Sequence, residues 1–295
     1  MRYDIVCIGH ITKDKIVTPK ATVNIPGGTA TYFSYGISRM ENKDISYKLV
    51  TALAQEDMYI VEDMRKAGIE VEAFESPCTD VFENIYTSDD MNQRQQRVLA
   101  TAQPFNIEQL KNVDARYIVL GSLLATDFGL PLVKYFSAKA TLVVDAQGYL
   151  REVREQKVFA TDWKEKLEAL KHIDVLKVNE HEIKVLTGID DYREACQQLA
   201  QWGVKEVLLT LGSEGSMILT DRQFYIIPAY APLNEKDATG CGDTYVMSYL
   251  YKRAQGADIE DAGKFAAAVS TLKLENSGPF SRTEQEVMEL LRTNA

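Results

Sequence analysis

Short apolar runs closed by glycine or a polar residue recur along this chain of 295 residues, and most lead into a stretch whose apolar residues fall at helical spacing. No other feature narrows the fold as much. Residues 5–8, 45–53, 69–74, 117–120, 141–144, 175–178 and 207–211 read as strands, several of them apolar almost throughout, so that neither face can meet water. Strands joined by helical crossovers lie parallel, with helices covering both faces. The expected fold class is α/β, a mainly parallel sheet sandwiched by helices. No repeat, low-complexity tract or linker divides the chain, so residues 1–295 are expected to form one domain.

Two regions interrupt the alternation. After residue 9 a polar stretch alternates at Val23 and Ile25, as a short strand pair would. Residues 81–87 and 96–100 read as two extended segments joined by the polar turn Ser88-Asp89-Asp90-Met91-Asn92.

The stretch from Asp237 to Thr244 carries the most chemistry. Gly240 and Gly242 flank Cys241, Asp243 follows at once, and helical spacing begins at Tyr245, so a loop enters a helix here. The first N–H groups of a helix lack internal acceptors and the helix dipole adds partial positive charge, which suits an anion. Glycines let a phosphate approach the main chain without meeting a Cβ. The Asp243 carboxylate repels that anion, which makes sense if it takes a proton from a hydroxyl attacking the phosphate. The plain alternative is a tight turn followed by an ordinary acid in a first helical turn.

Smaller signals lie elsewhere. Pro26-Gly27-Gly28-Thr29 opens a helix through Met40, where paired glycines read first as a turn. Asp145, Gln147 and Arg151 follow the strand at 141–144, at the carboxyl end where α/β sheets bind ligands. Asn179 with Glu182 three residues on has capping-box form, and residues 207–211 end in Gly212-Ser213-Glu214-Gly215. Asp127-Phe128-Gly129 spells the metal motif of protein kinases without their H-R-D or V-A-I-K context, so Asp127 is expected only to cap the helix through Tyr135. Ser281 and Glu284 stand at capping-box spacing where the last helix begins. His10, His172 and His181 are too scattered for a zinc site and read as surface or packing residues.

In their order along nearly the whole chain, these motifs resemble those of the PfkB, or ribokinase-like, carbohydrate kinases. Asp237-Ala238-Thr239-Gly240-Cys241-Gly242-Asp243 is similar to that family's D-T-x-G-A-G-D, with Ala238 and Cys241 as small replacements. The resemblance implies that Asp243 is the catalytic base and that Gly240, Cys241 and Gly242 supply an anion hole. It implies that Asp14 accepts a substrate hydroxyl, that Gly27-Gly28 is the wall against which a sugar lies, and that Tyr32 and Arg151 also meet the substrate. On the donor side it puts Asn179, Thr210, Gly212, Gly215 and Asn276 along an ATP, and Glu182 on its Mg²⁺, through water. A K⁺ ion near Asp237, Thr239 and the segment 276–278 is implied as well. The segments around 12–26 and 81–101 become a small β lid that keeps water, itself a nucleophile, from the site. A homodimer through that lid is the implied assembly.

The implied activity is phosphoryl transfer from MgATP to a hydroxyl of a small sugar or polyol. A nucleoside kinase of the same fold and a non-catalytic sugar-binding regulatory protein are the rivals, since fold does not fix function. No G-x-x-x-x-G-K-[ST] occurs, and no G-x-G-x-x-G follows the first strand, which disfavours P-loop and Rossmann openings. At Tyr32, where ribokinases have Asn, a phenol offers one hydroxyl and a flat ring that suits the C–H face of a six-membered ring. A cyclic polyol or hexose is therefore expected over ribose and nucleosides, and the G-H-x-x-x-D run from Gly9 to Asp14 with the G-G-x-A-x-[FY] run from Gly27 to Tyr32 also resembles the myo-inositol kinases among PfkB proteins. A formal net charge of -10 argues against a nucleic-acid partner. Cys7, Cys78, Cys196 and Cys241 show neither metal nor disulfide spacing and read as free thiols of a cytoplasmic protein. The first residues are too short and acidic a stretch for a signal peptide, and no apolar run reaches membrane-spanning length.

Overall fold

The computed structural model describes residues 2–19, 21–42, 44–86 and 94–294; the expected turn from Ser88 to Asn92 lies outside them. Strands β1 (Tyr3–Gly9), β2 (Thr12–Val17), β3 (Thr22–Gly27), β4 (Tyr47–Leu53), β5 (Val71–Glu75), β6 (Asp80–Tyr86) and β7 (Arg94–Ala100) come first. Then follow β8 (Ala115–Gly121), β9 (Thr141–Asp145), β10 (Arg151–Arg154), β11 (Lys157–Ala160), β12 (Val175–Asn179), β13 (Glu206–Thr210), β14 (Ser216–Thr220) and β15 (Gln223–Ile227).

Nine of these form one sheet in the order β15-β14-β13-β12-β9-β8-β1-β4-β5. Neighbours are parallel except at the β13-β14-β15 edge, which is antiparallel. Strand β1 shows why a continuous apolar run suits this place. Ile5 and Cys7 enter one hydrophobic cluster while Val6 and Ile8 enter the other, the period of two with both faces covered. The first cluster is closed by the helices Gly28–Ser38, Cys241–Ala254 and Ile259–Leu274; the second by Leu130–Ser137, Glu180–Thr187 and Tyr192–Gln201. Burying one such aliphatic side chain is worth about 1.5 to 3 kcal/mol. Lys177, buried in the middle of β12, breaks the pattern and needs a reason.

The second sheet has the order β10-β11-β7-β6-β2-β3, antiparallel except between β2 and β6. The strands around 12–26 and 81–101 lie in it as read from sequence, but the β10-β11 hairpin was not expected. Its turn puts Glu155 and Gln156 at φ 49° and 66°, left-handed values usually signalled by Asn or Gly, so the sequence cue was missing. Two capping expectations also fail. The helix Leu130–Ser137 starts from Gly129 with no side-chain cap, while Asp127 turns back to accept from the amides of Leu123 and Leu124 at 2.8 and 3.0 Å. The last helix, Glu284–Thr293, is boxed by Thr283 and Glu286 rather than by Ser281 and Glu284, because Glu284 accepts from Lys252 and Tyr251 instead. His10 is a packing residue, fully buried and stacked on Phe105 at 4.4 Å.

Candidate active site

A cavity of about 590 Å³ is lined by residues that follow the carboxyl ends of β8 and β9, by strands of the second sheet, and by the loop before the helix Cys241–Ala254. Carboxyl ends of parallel strands are where such sheets bind ligands. Asp14, Gly28, Tyr32 and Arg151 line it from the expected acceptor set, and Asp237, Thr239, Gly240 and Asp243 from the expected cradle. Gly27, Cys241, Gly242, Asn179, Glu182, Thr210, Gly212, Gly215 and Asn276 are not among its lining residues.

The cradle is built by backbone constraint. Gly240 has φ 76°, and a Cβ there would stand 2.1 Å from the Tyr32 ring, so glycine is required twice over. The helix begins at the next residue. Its first bonds run from Cys241 N–H to the Ala238 carbonyl at 3.1 Å and from Thr244 N–H to the Gly240 carbonyl at 2.9 Å. Among the described residues the amides of Gly242 and Asp243 have no acceptor. Those two, and not the amide of Cys241, are therefore open to an anion. The Cys241 thiol is pushed up to about 11 by burial, so it stays protonated and filler rather than nucleophile.

Asp243 sits in the first helical turn at the cavity wall. Burial, then the charge of Asp145, push its carboxyl above the ordinary carboxylate range, while a hydrogen bond from Thr29 and the charges of Lys177 and Arg151 pull it back. A carboxylate tuned upward this way is a better proton acceptor near neutral pH.

Sequence reading passed over Lys177, although a lysine inside an apolar strand was a visible signal. Its ammonium lies 3.1 Å from Asp145 Oδ2 and 3.7 Å from Glu182 Oε2. Burial pulls its pKa down, but Asp145, Glu182 and Asp243 together raise it above the ordinary lysine value, so it stays charged. The same ammonium explains Gly242, where a Cβ would come within 2.9 Å of Lys177 Nζ. Gly242 thus makes room for a cation under the cradle, where sequence reading had it only clearing the amides.

On the acceptor side the two glycines have separate causes. A Cβ on Gly27 would meet Asp14 Oδ2 at 2.3 Å, and Gly28, at φ 80°, would bring one within 2.7 Å of the His10 carbonyl. Asp14 accepts from the Thr12 hydroxyl at 2.6 Å, and Gln96 donates to Asn84 Oδ1 at 2.9 Å, both pairs facing the cavity. Tyr32 lines the cavity but packs under Gly240 and is 2% exposed, so little of its ring is open. Its hydroxyl is buried with no partner among the described residues.

The expected donor-side residues hold the fold in visible ways. Asn179 accepts from the amides of His181 and Glu182 at 2.9 Å each, and Glu182 Oε2 accepts from Asn179 N–H at 2.8 Å, a complete capping box. Gly215 has φ 92°, and a Cβ there would stand 2.2 Å from the Ile227 carbonyl. The Thr210 hydroxyl donates to Val178 at 3.4 Å and the Asn276 amide to Leu272 at 3.5 Å. Gly212 lies exposed at φ 54°. The Glu182 carboxylate is shared between its own helix start and the ammonium of Lys177, which lies 3.7 Å from Oε2.

Known proteins share this fold. The chain is similar over 96% of its length, with 30% identity and a TM-score of 0.85, to a pyrophosphate-dependent kinase in the ribokinase family solved as a sulfate complex, 99% of which is covered. Such a kinase complexed with a pyrophosphate analog and myo-inositol is 30% identical over the same shares, with a TM-score of 0.84. Ribokinase of Arabidopsis thaliana is 32% identical over 133 residues, 42% of this chain and 35% of that protein, so the match spans about a third of the curated relative's length. The sequence pattern of the pfkB family carbohydrate kinases matches residues 4–285, a span that holds both sheets, the cradle and Asp243, and the chain belongs to that family.

Proposed function

We propose that this protein transfers the γ-phosphoryl group of MgATP to a hydroxyl of a small cyclic polyol or hexose, with Asp243 as general base. The observation that carries this reading is one cavity lined by Asp243, at the head of a helix with two unbonded amides, and by the polar groups of Asp14, Asn84 and Gln96. Asp243 takes the proton as the acceptor oxygen attacks the γ-phosphorus, and the bond from that phosphorus to the β-phosphate oxygen breaks. The Gly242 and Asp243 amides meet charge building on the transferred group, where one such donor is worth about 3 to 4 kcal/mol. Lys177 adds a full charge beside them. Glu182 would hold the Mg²⁺ of the donor through water, and that ion would supply neutralisation of the donor phosphates. Asn179, Thr210, Gly212, Gly215 and Asn276 are assigned to the nucleotide, and the second sheet acts as a lid over a single catalytic domain.

Pyrophosphate as donor is the second reading, favoured by 30% identity over 96% of the chain to kinases described as pyrophosphate-dependent. Initial rates with MgATP and with magnesium pyrophosphate, each against myo-inositol, glucose, ribose and adenosine, separate the possibilities. A cyclic polyol or hexose is expected to lead by more than tenfold in kcat/KM, about 1.4 kcal/mol. Ribose or adenosine leading by that factor overturns the acceptor assignment, and pyrophosphate leading changes the donor. No turnover with any pair leaves the sugar-binding protein. We place the protein in the cytoplasm, where its four free thiols stay reduced, as a homodimer through the lid sheet. Among the described residues no helix is long and apolar enough to cross a membrane.

A further inference from the structure

We infer that the ammonium of Lys273 is a built-in monovalent cation of this active site, so that the protein works without K⁺ at the loop before its phosphate cradle. The inference rests on the kinase reading above. Lys273 belongs to the last turn of the helix Ile259–Leu274, and its side chain is 0% exposed. Nζ donates to the Asp237 carbonyl at 2.7 Å, lies 3.8 Å from Asp237 Oδ2, and stands 5.6 Å from the centre of the Tyr32 ring. The loop is bound to the same helix end by its backbone, since the amides of Lys236 and Asp237 both donate to the Leu274 carbonyl, at 2.9 and 3.2 Å. Asp237 Oδ1 is engaged too, accepting from Thr239 N–H at 2.9 Å.

A K⁺ ion would need oxygens of this loop, and the sequence resemblance put one near Asp237, Thr239 and the segment 276–278. The residues present do not fit it. The carbonyl and the carboxylate of Asp237 already face a cation or a donor of the chain itself. A second cation on the same carbonyl would sit beside a buried ammonium, where screening by water is weak. A buried ammonium is costly unless it is paired, and Asp237 together with the Tyr32 ring supplies that pairing. Its effect reaches the cradle: the Lys273 charge acts against the upward shift of the Cys241 thiol at the helix start. Lys273 is thus a positioning residue. It holds the Asp237 carbonyl in place, and through the loop it fixes the turn at Gly240 from which the two open amides follow.

The test compares wild type with Lys273→Met in KCl, NaCl and tetramethylammonium chloride at matched ionic strength. Rates are read with the best donor and acceptor pair, and melting temperatures without substrates. Wild type is expected to keep its rate within about twofold in all three salts, with no K⁺-specific rise in melting temperature, because an ion bound only to the native state would raise it. Lys273→Met is expected to lose at least about tenfold in kcat in tetramethylammonium, to change its acceptor KM far less, and to regain rate in K⁺. A wild-type rate tenfold higher in K⁺, a K⁺-specific rise in its melting temperature, or a Lys273→Met enzyme with wild-type kcat in tetramethylammonium would each overturn the inference. Should Lys273→Met not fold, the wild-type salt comparison decides alone. If no donor and acceptor pair turns over, the kinase reading has failed, while the melting temperatures still report for or against a K⁺ site.

Discussion

Replacing Lys177 with Met keeps side-chain length and removes a buried cation shared by Asp145, Glu182 and Asp243. The ammonium is 5% exposed, and the two acids it touches are each 10% exposed. Deleting one partner of a buried pair costs about 3 to 5 kcal/mol, because an uncompensated charge stays behind. At roughly 2 °C per kcal/mol for a large domain, the melting temperature should fall by about 6 to 10 °C near pH 8. The pH dependence has a definite sign. Lys177 has a raised folded-state pKa, so its contribution is fully present below the ordinary lysine value and is constant from pH 5 to 8. What titrates in the variant is the acids. Glu182 and Asp243 are already raised, in both cases chiefly by burial, and go higher without Lys177. The native variant then holds protons that its unfolded chain releases, so it loses stability as pH climbs out of the ordinary carboxylate range through those raised values. Melting curves of both proteins from pH 5 to 8 should diverge steadily. A gap under about 2 °C, or one that does not grow with pH, refutes the shared-cation reasoning.

Tyr32→Phe removes a buried hydroxyl with no partner among the described residues, so the fold should lose nothing and the melting temperature should hold or rise. If a substrate hydroxyl is its partner, the acceptor KM should rise by up to roughly tenfold, the worth of one hydrogen bond, and an unchanged KM removes Tyr32 from the site. Glu182→Gln can still complete a capping box with Asn179, and Asp145 still pairs Lys177, so it should lose less stability than Lys177→Met while half-saturation by Mg²⁺ shifts upward severalfold. A magnesium titration matching wild type would leave Glu182 as a cap only.

Much of this molecule is legible in the sequence because its strands are buried on both faces, and a run such as Val175-Leu176 can then hardly be anything but sheet core. The cradle is legible because glycine at Gly240 answers to a local positive φ. What could not be read depends on partners brought from elsewhere in the chain. Lys177 means little until Asp145 and Glu182 close around it, and Lys273 until the loop at Asp237 folds over it. Two capping boxes compete at the last helix, and the choice of Thr283 over Ser281 follows from Glu284 being held by Lys252 and Tyr251. The ring of Tyr32 looked free for a ligand only because nothing in its own neighbourhood announces that Gly240 will cover it.

The most direct test of the central claim is the turnover of Asp243→Asn under saturating donor and acceptor, with donor affinity and melting temperature measured on the same protein. Loss of a general base lowers kcat by about 10² to 10⁴. The Asn variant should fall at least that far while it folds and binds donor, because the Gly242 and Asp243 amides that meet the phosphate remain. A kcat within about threefold of wild type, or roughly 0.7 kcal/mol of barrier, would contradict the assignment of Asp243 as the base.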